Sequence, residues 1–252
     1  MKQFVFLFSI LFFAIAVQAQ KHLNIVFIGN SITYGAGLKT PSVEAPPVRC
    51  AEWLRQQPTV REVAISNQGV SGATTVDFLP LSNSLFPKVI KAADTMYRSK
   101  GDLIFSVMLG TNDSAIKGPN GSPVSPVQYH TNMKVIIDEL LARYPKCKVI
   151  VHRPTWYSPN TYNGAMYLKA GLDRLNSYFP QIQSMIANYG ESHPQHVFLG
   201  DTDAYDYIEK HHLDEVGAEY GNAGIFYLHP NQKGAKALGE MWGKAIYRCL
   251  IH

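Results

Sequence analysis

The sequence predicts an α/β fold in which helices cover both faces of a parallel β-sheet. Short apolar runs alternate along the chain with longer segments whose apolar residues recur at helical spacing. Small polar segments rich in glycine follow several of the apolar runs. Strands that alternate with helices build parallel sheets that are buried on both faces. The length of 252 residues suits one domain of this class.

Five apolar runs predict the strands, at residues 23–28, 63–66, 103–109, 148–151 and 196–199. Helical spacing predicts helices over 48–57, 85–98, 127–144 and 165–189, and a terminal helix after Asn231. Pro180 predicts a break or kink within the fourth of these helices. We assign no element to residues 204–224.

A small polar segment containing Asn30, Ser31 and Thr33 follows the first apolar run. An α/β sheet places its chemistry in this position, beyond the carboxyl ends of its strands. A serine there can be a nucleophile if a base reaches it. Ser31 can also cap the helix that follows, since serine is a favoured helix cap. Either role, or both, fits the pattern.

Three later segments have the same character. Residues 67–75 contain Gly69 and Gly72, residues 110–113 contain Asn112, and His229 precedes the terminal helix. Each alone is typical of an ordinary turn, and a lone histidine is usually structural. Short loops after parallel strands would nevertheless bring Gly72, Asn112 and the segment after Asp201 to the sheet edge that carries Ser31.

The segments GNSIT, SGATT, GTND and HPN, in this order, resemble the four sequence blocks of the GDSL, or SGNH, hydrolase superfamily. The resemblance spans residues 21–252 and implies a flavodoxin-like three-layer α/β/α sandwich with about five parallel strands. It implies that Ser31 is the nucleophile and His229 its base. The implied oxyanion hole consists of the N–H groups of Ser31 and Gly72 and the side-chain amide of Asn112. No metal or organic cofactor is implied.

Two residues depart from the family pattern. Asn30 stands where the usual block has aspartate, for which we expect a local structural effect only. Phe226 stands three residues before His229, where the family has the third member of its triad. We expect the backbone carbonyl of Phe226 to accept the Nδ1 proton of His229, with Asp201 and Asp203 as competing acceptors.

The resemblance implies hydrolysis of short-chain esters, above all acetyl groups on carbohydrate, by a Ser31–His229 acyl-enzyme mechanism. A lipid or aryl ester hydrolase, similar to a lysophospholipase, is an alternative. A catalytically weak carbohydrate-binding protein that keeps the pocket is another. Trp156, Tyr157 and Tyr162 follow the fourth strand, where they could stack on sugar rings or line an acyl pocket. They could equally form a loop that packs on itself.

Residues 1–20 are predicted to be a signal peptide. Lys2 precedes an apolar run over 4–17 that is short for a membrane span, and Ala19 provides a small residue for cleavage. We therefore expect export to the periplasm or the extracellular space, without stable membrane insertion after cleavage. An uncleaved anchor is the alternative.

The net charge and the cysteine and histidine residues indicate which partners and metal sites to expect. The formal net charge of +4 is modest and its positive residues do not cluster, which argues against nucleic acid as a partner and leaves a small-molecule or polysaccharide ester. Cys50, Cys147 and Cys249 are expected to be buried free thiols. The adjacent His211 and His212 are expected at the surface, with no metal site.

Overall fold

The computed structural model describes residues 20–250. The predicted signal peptide therefore lies, except for Gln20, outside the described residues, and its cleavage and export stay predictions. No helix within residues 20–250 has both the length and the apolar character needed to cross a membrane.

The centre of the fold is a five-stranded parallel sheet with strand order β2-β1-β3-β4-β5. Its strands are β1 (Lys21–Gly29), β2 (Val60–Gly69), β3 (Asp102–Met108), β4 (Lys148–Val151) and β5 (Val197–Leu199). This is the order of the flavodoxin-like doubly wound fold. The predicted fold class is confirmed.

Eight helices connect and cover the strands within the described residues. They are α1 (Ser31–Tyr34), α2 (Pro41–Glu44), α3 (Pro46–Arg55), α4 (Phe86–Tyr97), α5 (Pro126–Arg143), α6 (Leu168–Ser192), α7 (Ala204–Glu215) and α8 (Gln232–Leu250). Helix α6 continues through Pro180, so the expected break is absent. Asn231 caps α8, since its Oδ1 accepts the N–H groups of Lys233 and Gly234 at 2.9 and 3.2 Å.

The two faces of the sheet have separate apolar cores. Along β1, Ile25 and Phe27 pack with α3 and α8, and the ring of Phe27 stacks on Trp242. Val26 and Ile28 point to the opposite face and pack with α4, α5 and α6. Alternate residues of a strand project to opposite faces, so a strand buried on both must be apolar throughout. Burial of each such side chain stabilises the fold by about 1.5–3 kcal/mol.

Residues 204–224, to which we assigned no element, form α7 and the strand β6 (Val216–Gly221). Strand β6 pairs antiparallel with β7 (Gly224–Pro230) in a hairpin separate from the central sheet. Only Val216 of β6 is buried, and its other apolar side chains, Ala218 and Tyr220, are exposed, so the strand is not a buried apolar run like those of the central sheet.

One expectation about the cysteines is wrong. Cys50 and Cys147 are buried free thiols, but Cys249 is partly exposed. Burial raises the pKa of Cys147 to about 12, which leaves that thiol protonated at neutral pH.

His211 and His212 lie at the surface, and both side chains are partly exposed. The ring of His212 lies 4.9 Å from those of both Trp156 and Tyr227, because α7 packs against these aromatic side chains.

Candidate active site

Ser31 is the first residue of α1, directly after β1. The helix cap is Asn30 rather than Ser31, since the Oδ1 of Asn30 accepts the N–H of Ile32 at 3.0 Å. The asparagine that replaces the usual aspartate thus has the local structural role that we expected. Because the neighbouring residue caps the helix, the hydroxyl of Ser31 is free for another contact.

That contact is with His229, near the end of β7. The Oγ of Ser31 lies 2.9 Å from the Nε2 of His229, although 198 positions separate them in the chain. The Ser31 side chain is nearly buried and that of His229 is 16% exposed, so both remain at the edge of solvent. The structure thus brings the two predicted residues together.

The other ring nitrogen of His229 meets a carboxylate that the sequence did not indicate. The Nδ1 of His229 lies 2.9 Å from the Oε1 of Glu219 on β6, and the same oxygen accepts the backbone N–H of His229 at 3.2 Å. The expectation of a main-chain carbonyl from Phe226 is therefore wrong. The Phe226 side chain is buried in the core.

The competing acceptors, Asp201 and Asp203, also do not reach His229. The carboxylate of Asp201 accepts the N–H groups of Asp203 and Ala204 at 3.3 and 3.2 Å, at the start of α7. Burial raises the pKa of Asp201 to about 6. Asp203 is exposed, and its carboxylate accepts the hydroxyl of Thr202. Both are committed to the beginning of α7.

The carboxylate determines how His229 carries its proton. An ionised carboxylate can only accept hydrogen bonds, so the Nδ1 of a neutral His229 must hold the hydrogen that faces Glu219. The Nε2 then presents its lone pair to the hydroxyl of Ser31. In this state the imidazole is placed to remove the serine proton.

Ser31, Gly72, Asn112 and His229 line a single cavity of about 410 Å³. Within residues 20–250, the backbone N–H groups of Ser31 and Gly72 have no acceptor in the protein. Gly72 has φ +79°, a left-handed conformation that favours glycine, and a Cβ built there would contact no other atom. Gly69, the other glycine of that segment, instead packs against the backbone of Thr33 and Tyr34.

The amide of Asn112 has a fixed orientation. Its Nδ2 donates to the carbonyl of Ala73 at 2.8 Å, and its Oδ1 accepts the hydroxyl of Tyr167 at 2.7 Å. An amide nitrogen carries two hydrogens, so one N–H of Asn112 remains for a ligand. Tyr167, which also lines the cavity, had no sequence feature that would have singled it out.

The buried carboxylate of Asp113 joins residues 110–113 to residues 67–75. Asp113 accepts the backbone N–H of Thr75 at 2.9 Å and also its hydroxyl, which in turn accepts the side-chain amide of Asn132. Burial raises the pKa of Asp113 to about 6. These contacts hold the loop of Gly72 beside Asn112.

Within residues 20–250, no three His, Cys, Asp or Glu side chains are grouped so that they could hold a metal ion.

The aromatic loop after β4 packs on the protein interior rather than lining the cavity. Trp156 and Tyr157 are buried, and the hydroxyl of Tyr157 lies 2.8 Å from the Oγ of Ser114. Tyr162 is half-buried and lies outside the cavity lining. The cavity wall on this side is formed by the next residues along the chain, Asn163, Gly164 and Ala165.

Glu219 could have been found from a turn pattern. Residues 221–224, Gly-Asn-Ala-Gly, separate two short runs and are typical of a hairpin loop. A hairpin ending at His229 would have indicated that its first strand lies beside the histidine. Sequence alone would not have shown which residue of that strand faces the ring.

Comparisons with known proteins identify the family and support the fold. The model of the GDSL-like lipase/acylhydrolase family matches residues 27–237, and a search of curated proteins found no match. Similar solved structures include a carbohydrate acetylesterase from Sinorhizobium meliloti (17% identity, 89% of this chain and 98% of that chain, TM-score 0.61). Another is an aryl esterase from M. smegmatis (15% identity, 90% of this chain and 99% of that chain, TM-score 0.61). A third is a lipase/acylhydrolase from Enterococcus faecalis (19% identity, 88% of this chain and 94% of that chain, TM-score 0.58). At these identities the structures support the fold, while the family match spans most of the sequence. The chain belongs to the GDSL-like lipase/acylhydrolase family.

Proposed function

We propose that this protein is a serine esterase in which Ser31 is the nucleophile and His229 the general base. The observation that carries the proposal is the 2.9 Å contact between the Oγ of Ser31 and the Nε2 of His229 at the wall of a cavity. Three potential hydrogen-bond donors, from Ser31, Gly72 and Asn112, surround the same space. A nucleophile, a base and donors for an oxyanion are what acyl transfer requires.

The proposed reaction has two halves. His229 takes the proton of Ser31 as its oxygen attacks the ester carbonyl, and the two N–H groups and the Asn112 amide hold the resulting oxyanion. His229 then protonates the departing alcohol, which leaves an acyl group on Ser31. In the second half a water molecule loses its proton to His229 and attacks the acyl group. The bond to the Ser31 oxygen then breaks, His229 returns the proton to that oxygen, and the carboxylic acid leaves.

The proposed substrate is a short acyl ester, above all an acetyl group on a carbohydrate. Small residues supply much of the wall of this cavity of about 410 Å³; they are Ala36, Ser71, Gly118, Gly164 and Ala165. The similar structure from Sinorhizobium meliloti is described as a carbohydrate acetylesterase. The buried Trp156 and Tyr157 give this assignment no support.

Hydrolysis of p-nitrophenyl esters of increasing chain length tests the acyl preference. We expect kcat/KM to be highest for acetate and to fall steeply by butyrate, because the cavity is small, at about 410 Å³. A preference for octanoate or longer esters would contradict the proposal and favour a lipid ester. Release of acetate from acetylated oligosaccharides then tests the carbohydrate part.

An aryl ester is the second candidate, since the similar structure from M. smegmatis is an aryl esterase. Comparing kcat/KM for phenyl acetate and for acetylated oligosaccharides separates the two. The alternative of a catalytically weak carbohydrate-binding protein was based on the absence of an aspartate at position 226, where the chain has Phe226. With a carboxylate at the Nδ1 of His229, no observation favours that alternative.

We also propose that the protein is exported, as its N-terminal sequence predicts. Export would give it access to polysaccharide esters outside the cytoplasm. N-terminal sequencing of the mature protein should show a start at residue 20 or 21. A mature chain that retains Lys2 would instead favour the uncleaved anchor.

A further inference from the structure

We propose that Glu219 is the positioning acid of His229, supplied by the β6–β7 hairpin in place of the aspartate three residues before the histidine. This inference rests on the proposed esterase function and concerns how its base is oriented. Glu219 contacts His229 but not Ser31, so it would act through the imidazole.

The hairpin register explains why a residue of β6 can reach the histidine. Glu219 pairs with Phe226, so their side chains project from the same face of the hairpin. In a regular strand His229, three positions after Phe226, would project from the other face. A carboxylate on either Glu219 or residue 226 would then point away from the ring.

A β-bulge changes this arrangement. Val216 pairs with Pro230, whereas Ala218 pairs with Tyr227, so the register shifts by one residue between these pairs. Gly217 therefore lies opposite two residues of β7, Leu228 and His229. A shift of one residue moves the following side chains to the opposite face, and bulges beside active sites commonly re-aim a side chain in this way. The result is the 2.9 Å contact between His229 and Glu219.

The hairpin is also held in place by the loop that precedes the cavity wall. The N–H of Ser158 donates to the carbonyl of Tyr227 at 2.9 Å, and the Oγ of Ser158 accepts the N–H of Tyr227 at 2.8 Å. The N–H of Asn222 donates to the carbonyl of Tyr162 at 2.8 Å. A Cβ at Gly221 would lie 2.1 Å from that same carbonyl oxygen, so the hairpin approaches the loop as closely as glycine allows.

These contacts give Glu219 two effects on the proposed reaction. Its Oε1 keeps the proton of neutral His229 on Nδ1, which leaves Nε2 free to accept the proton of Ser31. Its negative charge stabilises the imidazolium that forms during attack. Its side chain is 31% exposed, so solvent screens this charge more than in a fully buried triad.

The test compares Glu219→Gln, Glu219→Asp and Ser31→Ala with the wild-type enzyme on p-nitrophenyl acetate. Glutamine keeps the shape and loses the charge, so we expect kcat to fall by about 10²- to 10⁴-fold with little change in KM. Aspartate is shorter but keeps the charge, so the kcat of Glu219→Asp should lie between those of the wild type and Glu219→Gln.

Asp203→Asn is the matched control, since it removes an exposed carboxylate at the same sheet edge without contact to His229. Its kcat and KM should equal those of the wild type. A Glu219→Gln enzyme with kcat within threefold of wild type would overturn the inference. So would a Glu219→Asp enzyme no more active than the glutamine variant.

The Ser31→Ala variant distinguishes a wrong role for Glu219 from a wrong esterase assignment. If it is inactive while Glu219→Gln is fully active, the esterase assignment stands and the role of Glu219 is wrong. If Ser31→Ala retains wild-type turnover, the proposed function itself fails. Circular dichroism of each variant establishes that the fold is retained, and the partly exposed position of Glu219 makes loss of folding on isosteric substitution unexpected.

Discussion

The protein contains two serine–histidine pairs with the same contact distance and opposite chemistry. The Oγ of Ser31 lies 2.9 Å from the Nε2 of His229, and the Oγ of Ser106 lies 2.9 Å from the Nε2 of His152. The first pair lines a cavity, whereas Ser106 and His152 are buried at the carboxyl ends of β3 and β4. The distance therefore does not distinguish a nucleophile with its base from a structural contact.

The difference lies at the second ring nitrogen. The Nδ1 of His152 accepts the backbone N–H of Asp201 at 2.9 Å, so the hydrogen of its neutral ring is on Nε2 and faces Ser106. His152 is thus a donor to its serine and cannot remove the hydroxyl proton. Burial lowers its pKa to about 3, and the ring stacks on Trp242. In the other pair, Glu219 reverses this tautomer.

The comparison shows that the partner of Nδ1 decides what a histidine can do to a neighbouring hydroxyl. A backbone N–H makes His152 a link that joins the segment after β5 to β3. A carboxylate makes His229 an acceptor for Ser31. Burial reinforces the difference, because a fully enclosed imidazole resists the positive charge that general-base chemistry creates.

The largest expected effect comes from removing each serine hydroxyl in turn. Ser31→Ala should lower kcat on p-nitrophenyl acetate by 10³-fold or more, because it removes the proposed nucleophile. Ser106→Ala should leave kcat nearly unchanged and cost about 1 kcal/mol in the free energy of unfolding, through one lost buried hydrogen bond. Near wild-type turnover by Ser31→Ala, or collapse of activity in a folded Ser106→Ala, would reverse the assignment of the two pairs.

The next effect concerns the donors that surround Ser31 and not Ser106. Asn112→Ala should lower kcat by about 10²- to 10³-fold, as for other oxyanion donors. Tyr167→Phe is the graded comparison, since it keeps the amide and removes only the hydroxyl that orients it. Loss of one such hydrogen bond should cost about tenfold. Equal kcat in wild type and Asn112→Ala, measured with saturating p-nitrophenyl acetate, would remove Asn112 from the oxyanion hole.

The last effect concerns stability rather than catalysis, and it is a pH dependence that belongs to the buried pair. The pKa of His152 is depressed from 6.5 to about 3 on folding, so its stabilising effect is present above pH 6.5 and is lost as the pH falls toward the folded value. In urea titrations, the stability advantage of wild type over His152→Gln should shrink by about 3 kcal/mol between pH 7 and pH 4.

The raised pKa values of Asp113 and Asp201 act in the opposite direction, since the folded state holds their protons more tightly. Both carboxylates are present in the wild type and in His152→Gln, so their contributions cancel in the difference. An advantage that is the same at pH 7 and pH 4 would show that His152 is not held neutral by burial.

The sequence by itself determined the fold class and four residues of the candidate site. Strands buried on both faces must be apolar throughout, so their runs are visible in the chain, as in β1. The carboxyl ends of parallel strands share one edge, and the terminal helix begins just after His229. Strand order therefore predicted that Ser31, Gly72 and Asn112 meet, and the resemblance to the four family blocks added His229.

Only the tertiary structure decided which groups support those four residues. Glu219 faces His229 because a bulge shifts the hairpin register by one residue, and neither composition nor spacing specifies where a bulge falls. Tyr167 reaches Asn112 across 55 positions of sequence. Trp156 and Tyr157 could have lined a cavity or filled the core, and the packing of α6 and α7 around them placed them in the core. Contacts between distant segments set side-chain direction and burial, so these features emerge only when the chain is folded.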